Sequence, residues 1–242
     1  STYEMMPQAV VFPTSTEEVA EVLSLASDRG LPVIPRGAGT NLSGGSLSAN
    51  GGLVMTFGKM NRILELNAEN LTAVVEPGLV NADFQKHLLP YGLFFPPDPA
   101  SMNVSTIGGN AATCAGGPRC LKYGVTRDYV LGLEAVLANG EVLRTGGRAI
   151  KNVTGYDLTR LLVGSEGTLA VITKVIVRLL PLPEAKKTML AAFDSVVAAG
   201  RAVSAIIAQG ILPATLELMD NLLIQCAEDY VHVGLPRDAQ AV

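Results

Sequence analysis

Glycine is concentrated in two long segments of this chain, residues 36–52 and 95–124, and this concentration limits what they can fold into. Both segments also lack the apolar repeat of a helix or a strand. Glycine weakens the interior of regular elements because it loses the most backbone freedom on folding. We therefore predict loops in both places, and loops of that length inside a compact domain usually bind something.

The chain outside these segments predicts alternating strands and helices. Ser15, followed three residues later by Glu18, predicts a capping box at the start of the first helix, and Asn139-Gly140 predicts a hairpin turn. Predicted strands are 9–12, 33–34, 53–57, 63–66, 71–75, 130–138, 141–145 and 168–180, and predicted helices are 15–30 and 80–91.

Pro181 and Pro183 mark a linker, after which the pattern predicts a strand at 188–193, a helix at 195–209, a strand at 214–219 and a helix at 222–230. We therefore expect two domains, 1–181 and 182–242. Two strands make a poor domain by themselves, so we expect the second to be the start of a larger α+β domain that continues beyond Val242.

Composition excludes several classes of function. A net charge of -4 with scattered cations argues against nucleic-acid binding. The apolar runs are shorter than the roughly 20 residues that span a bilayer, and the first ten residues lack the features of a signal peptide. Three cysteines and two histidines match no metal-site spacing. We expect no metal, no transmembrane segment and a cytoplasmic location.

Three glycine motifs carry the functional hypothesis. Residues 33–45 (VIPRGAGTNLSGG) follow a strand and can point several backbone N–H groups at one anion. A Rossmann loop would need glycine at Leu42 and a helix starting there, so that fold is disfavoured. From this motif alone, a plain glycine-rich connection stays open. The pairs in 105–110 (STIGGN) and 114–117 (CAGG) would let a flat ligand lie against backbone, and 164–168 (GSEGT) leads into a strand.

In order and spacing these motifs resemble the vanillyl-alcohol oxidase and p-cresol methylhydroxylase superfamily of flavoproteins. Within it they are most similar to the branch of the glycolate oxidase FAD-linked subunit and D-lactate dehydrogenase, and the resemblance covers residues 7–220. It implies an α+β fold: a p-cresol methylhydroxylase type FAD-binding domain of two subdomains, followed by the truncated start of a ferredoxin-like cap domain that binds substrate.

The resemblance also implies where FAD is held. The first loop would wrap the pyrophosphate, residues 96–117 would line the isoalloxazine and pyrophosphate, and 151–173 would hold the adenine end. The residues so assigned are Pro35, Arg36, Gly37, Ala38, Gly39, Thr40, Asn41, Leu42, Ser43, Pro97, Asp98, Ser105, Thr106, Gly108, Gly109, Asn110, Ala112, Cys114, Ala115, Gly116, Gly117, Tyr123, Gly124, Glu166, Gly167, Val171 and Ile172.

Some relatives attach flavin through a histidine in the first loop, where this chain has Thr40 and Asn41, so non-covalent FAD is expected. A thioether from Cys114 is the alternative, although a buried thiol is the simpler interpretation. Arg119 and Lys122 are candidate partners for a substrate carboxylate. The catalytic base is expected beyond Val242, because in the resembling branch it belongs to the cap and the chain after it.

The function implied is FAD-dependent oxidation of a D-2-hydroxy acid, such as glycolate or D-lactate, to the 2-oxo acid, with hydride transfer to flavin N5. Implied partners are an electron acceptor, an iron-sulfur subunit and a second flavin-domain subunit near the inner membrane, with homo-oligomers also open. The alternatives are an accessory subunit that holds FAD without catalysis, and an oxidoreductase of the same superfamily that acts on another alcohol.

Overall fold

The computed structural model describes residues 4–242, which divide into two compact units. The first unit extends to Gly117 and resumes from Gly124 to Leu182, and the second consists of Pro118–Tyr123 and Pro183–Val242. The sequence itself predicts residues 118–123 in the first domain, because no change in composition marks them.

Every strand and helix predicted before residue 181 is present, with bounds that differ by a few residues. The strands are β1 (Ala9–Val11), β2 (Val33–Arg36), β3 (Leu53–Thr56), β4 (Ile63–Asn67), β5 (Thr72–Val75), β6 (Leu93–Phe94), β7 (Val130–Val136), β8 (Val142–Gly146), β9 (Val171–Arg178) and β10 (Leu180–Pro181). The α-helices are α1 (Thr16–Asp28), α2 (Asn81–Leu88), α3 (Ile107–Thr113), α4 (Cys120–Tyr123), α5 (Leu158–Leu162), α6 (Val196–Ala208) and α7 (Asn221–Tyr230). None of the helices within residues 4–242 is both long and apolar enough to cross a bilayer.

The first unit contains two main sheets. Strands β1, β3 and β2 form a parallel sheet in that order, and β4, β5, β9, β7 and β8 form an antiparallel sheet in that order. The predicted hairpin is confirmed, since β7 and β8 pair across the turn and Gly140 takes a φ of 86°. In addition, β6 pairs with β10.

Helix α1 joins the two sheets through its apolar face. Val19 and Leu23 of α1 share one buried cluster with Met55 of β3, Val136 of β7 and Val171 of β9. Burial of side chains of this size contributes about 1.5–3 kcal/mol each. The cluster therefore holds β3 and β9 relative to each other. Strand β2 pairs with β3, and both β2 and β9 lead to the cavities described below.

The start of α1 differs in one detail from the predicted capping box. Ser15 Oγ accepts a hydrogen bond from the Glu18 amide at 3.3 Å, as predicted. The Glu18 carboxylate, however, accepts from the amide and hydroxyl of Thr14, at 2.7 and 3.0 Å, and not from Ser15. These bonds lower the pKa of Glu18.

One carboxylate is buried in the antiparallel sheet and is surrounded by donors. Glu134 of β7 accepts from Thr16 Oγ1 at 2.8 Å and from Arg144 Nε at 2.9 Å, and it pairs with Lys174 Nζ at 2.8 Å. Burial alone would raise the pKa of Glu134, but the bonds from Lys174, Thr16 and Arg144 outweigh it, so the pKa is lowered from its ordinary value of 4.5.

We expect Glu134→Gln to destabilise the protein at neutral pH by about 1–3 kcal/mol, because charge-assisted hydrogen bonds are lost. A lowered folded-state pKa contributes stability above the unfolded value and loses it as pH falls through the folded value. The free energy of unfolding of the wild type should therefore fall more steeply below about pH 4.5 than that of the variant. Denaturant titrations across this range measure both slopes. The control is Glu141→Gln at the exposed β7–β8 turn, and equal slopes in wild type and Glu134→Gln would contradict this assignment.

The predicted loop over residues 95–124 is wrong at its centre, where α3 forms. Thr106 Oγ1 accepts from the Gly109 amide at 3.2 Å, which caps the helix, and Ile107 and Ala111 are fully buried. Capping and burial together offset the helix-weakening effect of Gly108 and Gly109.

The second unit contains the two predicted helices, α6 and α7, capped by Ser195 and Asp220. The two predicted strands are wrong: in the described residues 188–193 and 214–219 form no strand. Isolated bridges to Ala241 occur at Phe193, within the first segment, and at Asp220, directly after the second. Apolar residues form a strand only where a neighbouring strand supplies hydrogen-bond partners, and these segments meet just the short stretch near Ala241.

Candidate functional site

The loop after β2 is the first wall of a cavity. It leaves the parallel sheet at Arg36, and Gly39 and Gly44 take positive φ angles of 72° and 80°, which favour glycine. Asn41 Oδ1 accepts from the Gly44 amide at 3.2 Å and holds the turn. The backbone amides of residues 37–41 donate to no acceptor among residues 4–242. They are therefore available to a ligand.

Helix α3 forms the second wall and approaches this loop closely. A Cβ added at Gly37 would lie 2.6 Å from Thr106 Oγ1 and 3.3 Å from Gly109 Cα. A side chain at Gly37 would therefore push the two walls apart. A Cβ added at Gly108 would meet Pro77, at 2.4 Å from its Cβ and 2.8 Å from its Cα, so packing against Pro77 already requires glycine at this position.

The segment 164–172 forms the third wall and is fastened to the end of α3. The amides of Gly164 and Glu166 donate to the carbonyls of Ala111 and Ala112 at 3.0 and 2.8 Å. Glu166 takes a φ of 53°, unusual for a residue with a side chain, and Gly167 packs on Pro35. The three glycine motifs, far apart in sequence, are thus in direct contact.

Together they enclose a cavity of about 430 Å³ and an adjoining one of about 50 Å³, which we call the glycine-lined cavities. The larger is lined by Pro35, Gly37, Ala38, Gly39, Thr40, Asn41, Ser43, Gly45, Ser46, Ser101, Ser105, Thr106, Gly109, Asn110, Ala112, Thr113, Cys114, Ala115, Gly116 and Glu166. The smaller is lined by Pro35, Arg36, Gly37, Phe57, Pro77, Thr106, Gly108, Gly109, Ala112, Glu166, Gly167, Ala170, Val171 and Ile172.

Most of the residues that the sequence assigned to the cofactor line one of these cavities, and the exceptions are Leu42, Pro97, Asp98, Gly117, Tyr123 and Gly124. The Leu42 side chain is 91% exposed, because the loop turns it to solvent. Gly117 instead packs on the backbone of Asp98, and Gly124, with a φ of 80°, packs on the Asp128 carboxylate. Tyr123, like Arg119 and Lys122, belongs to the second unit, whereas first-unit residues form the cavity walls.

Seven lining residues are not among those that the sequence assigned to the cofactor: Gly45, Ser46, Ser101, Thr113, Phe57, Pro77 and Ala170. Gly45 and Ser46 continue the first glycine run, so that signal was present. Thr113 follows one helical turn after Gly109, which could have been inferred only once α3 was known. Phe57 and Pro77 follow strands β3 and β5, and only the folded arrangement of the sheets brings them here.

Two buried polar atoms in the larger cavity lack partners. Ser105 Oγ and Asn110 Nδ2 make no hydrogen bond among the described residues, although both residues are only 3% exposed. Leaving such an atom unsatisfied costs about 1–3 kcal/mol. A ligand with polar groups would satisfy them. The cavity can therefore hold an elongated molecule that carries an anionic group at the loop amides and hydrogen-bonding groups at α3.

These features define a domain that binds a phosphate-containing cofactor. Residues 7–146 match the family described as FAD binding domain, and residues 182–242 match the C-terminal domain of FAD-linked oxidases. The chain belongs to this family of FAD-linked oxidases, and its cofactor is FAD.

Similar proteins agree with this assignment. Over 240 residues the chain is 54% identical to the glycolate oxidase subunit GlcD of Bacillus subtilis, covering 99% of this chain and 51% of that protein. It is 42% identical to the D-lactate dehydrogenase of Archaeoglobus fulgidus, covering 90% of this chain and 49% of the relative. The chain thus spans about half the length of these curated relatives.

Among solved structures, alkyldihydroxyacetonephosphate synthase matches with a TM-score of 0.78 at 26% identity, covering 92% of this chain and 44% of the synthase. The predicted p-cresol methylhydroxylase type fold, an FAD-binding domain followed by part of a C-terminal domain, is confirmed.

Proposed function

We propose that the protein oxidises a D-2-hydroxy acid, such as glycolate or D-lactate, to the 2-oxo acid, with FAD held non-covalently in the glycine-lined cavities. The observation that carries the proposal is the contact of all three glycine motifs around free amides and two unsatisfied polar atoms. The names of the relatives support the substrate class. FAD, when bound, supplies a hydride acceptor at its N5 atom.

Each wall has a distinct part in the proposal. The amides of residues 37–41 bind the pyrophosphate, because oriented backbone N–H groups stabilise an anion and the glycines among these residues place no side chain between the amides and the ligand. Ser105 Oγ and Asn110 Nδ2 hydrogen-bond to the cofactor and so fix its position along α3. Arg36, Gly167, Val171 and Ile172 line the smaller cavity and bind the adenine end.

The remaining parts of the proposal concern the rest of the protein. Residues 1–181 form the FAD-binding domain and 182–242 belong to the substrate-binding cap. Arg119 and Lys122 are the candidate partners of the substrate carboxylate. Partner subunits, one with iron-sulfur clusters and one with a second flavin-type domain, would take the electrons in the cytoplasm at the inner membrane.

The likeness to alkyldihydroxyacetonephosphate synthase favours one alternative, a substrate other than a hydroxy acid within the same fold. The test is an anaerobic titration of the natural protein, isolated with the subunits that copurify, with glycolate, D-lactate and D-2-hydroxyglutarate. Bleaching of the flavin absorbance by one of these acids, and not by L-lactate, is the expected result. Flavin that dithionite reduces but none of the acids reduces would reject the hydroxy-acid function.

Ser105→Ala is expected to weaken FAD binding without lowering the stability of the apoprotein, so the two effects can be told apart. Without FAD, loss of the unsatisfied hydroxyl should leave the free energy of unfolding unchanged or raise it, by up to about 1 kcal/mol. With FAD, loss of the hydrogen bond should weaken binding by roughly 3- to 10-fold. Denaturation of the apoprotein and quenching of FAD fluorescence measure the two effects.

The matched control is Ser48→Ala. Ser48 is equally buried, but its Oγ donates to the Gly51 carbonyl at 2.5 Å. This change should destabilise the apoprotein and leave FAD affinity unaltered. The same response in both variants would show that Ser105 has no role in binding the cofactor.

A further inference from the structure

Another large cavity lies at the end of the antiparallel sheet. Its volume is about 540 Å³, and it is enclosed between Leu131, Thr145 and Arg178 on the sheet side and the segment 149–160 on the other. None of its lining residues lines a glycine-lined cavity. We call it the arginine cavity.

More arginines than carboxylates line the arginine cavity. The charged side chains are those of Arg127, Arg144, Arg160, Arg178, Asp128 and Asp157. Arg160 uses both carboxylates, with nitrogen to oxygen distances of 3.5 Å to Asp157 and 3.7 Å to Asp128. Arg144 pairs with Glu134, which lies in the sheet. Both carboxylates that line the cavity therefore already pair with Arg160, and the carboxylate of Glu134 pairs with Arg144.

Arg127 and Arg178 keep uncompensated charges. Neither has a carboxylate oxygen within 4.0 Å among residues 4–242, and the Nε atom of each is buried without a hydrogen-bond partner. Arg127 is held in place by its Nη2, which donates to the Val163 carbonyl at 2.8 Å. Buried guanidinium N–H groups are costly unless an acceptor meets them, and their planar fork matches oxyanions.

The size and the apolar part of the lining describe the ligand further. Ile150, Tyr156 and Leu158 also line the cavity, although all three are exposed to solvent, and the cavity is larger than a bare oxyanion requires. We propose that the arginine cavity binds a small organic anion that carries two negative charges, a dicarboxylate or a phosphate ester, between Arg127 and Arg178. This ligand is additional to FAD and takes no part in the flavin chemistry, because, of the segment 151–173 that the resemblance assigns to the adenine end, only residues after Gly164 line the glycine-lined cavities.

The test is isothermal titration calorimetry of the FAD-loaded protein with succinate, glycerol 3-phosphate and acetate. Arg178→Gln removes one uncompensated charge, and Arg178→Lys keeps the charge but removes the fork. The control is Arg148→Gln, because Arg148 pairs with the partly exposed Glu65 and does not line the cavity. Arg127→Gln is titrated in the same way. If loss of the hydrogen bond to the Val163 carbonyl unfolds Arg127→Gln, the affinity of Arg178→Gln alone decides the test.

We expect succinate or glycerol 3-phosphate to bind saturably and more tightly than acetate, with wild-type affinity in Arg148→Gln. Affinity should fall about 10- to 100-fold in Arg178→Gln, with a smaller loss in Arg178→Lys. If succinate binds more tightly, the ligand class is a dicarboxylate, and if glycerol 3-phosphate binds more tightly, it is a phosphate ester. Absence of saturable binding by both dianions would overturn the proposal, as would equal affinity in wild type and Arg178→Gln.

Discussion

Gly37→Ala is expected to weaken FAD binding by about 10- to 100-fold while the chain still folds. The added Cβ would lie 2.6 Å from Thr106 Oγ1 and 3.3 Å from Gly109 Cα, both at the start of α3. Thr106 Oγ1 is held by the hydrogen bond that it accepts from the Gly109 amide, and Gly109 Cα is backbone, so the loop must move away from the helix. That movement displaces the amides of residues 37–41, which we assign to the pyrophosphate. The flavin content after purification and the dissociation constant of added FAD measure the effect.

Gly58→Ala is the matched control, because Gly58 is exposed and an added Cβ there would meet nothing within 4 Å. Circular dichroism of both variants should match that of the wild type. An FAD content in Gly37→Ala equal to that in Gly58→Ala would refute the role of this loop.

Phe95→Ala should have the largest effect on stability, a loss of about 3–5 kcal/mol in the free energy of unfolding. Phe95 is fully buried, and its ring centroid lies 5.7 Å from that of Phe84 and 6.3 Å from that of Tyr129. Truncation leaves a cavity between α2 and the antiparallel sheet that these rings cannot fill. Hydrogen exchange of the β9 amides, together with denaturant unfolding, measures the loss within the first unit.

Phe12→Ala provides the comparison for this truncation. Phe12 is 53% exposed, so its removal should change the free energy of unfolding by less than about 1 kcal/mol. Similar losses in the two variants would mean that Phe95 does not anchor the core of the first unit.

The sequence predicted elements well where a local signal defines them. Asn139-Gly140 defines the β7–β8 hairpin, and Ser15 defines the start of α1, because turn geometry and capping depend on neighbouring residues. The three glycine motifs were also assigned to one site, and the structure brings all three together.

The sequence predicted poorly where distant residues decide the outcome. Helix α3 was read as a loop because its two adjacent glycines suggest flexibility, whereas close packing on Pro77 and on Gly37 explains them. The predicted strands at 188–193 and 214–219 lack neighbouring strands in the described chain. The residues around Phe57 and Pro77 in the sequence do not indicate that the ends of β3 and β5 place these two residues at the smaller cavity.

The most direct test of the account is the absorbance spectrum of the purified protein between about 300 and 550 nm, before and after denaturation. The account predicts two flavin bands at a stoichiometry near one FAD per chain, and release of the flavin into the supernatant on denaturation. Absence of flavin, with none taken up from added FAD, would contradict the central claim that the glycine-lined cavities hold this cofactor. Flavin that stays with the denatured chain would contradict non-covalent binding.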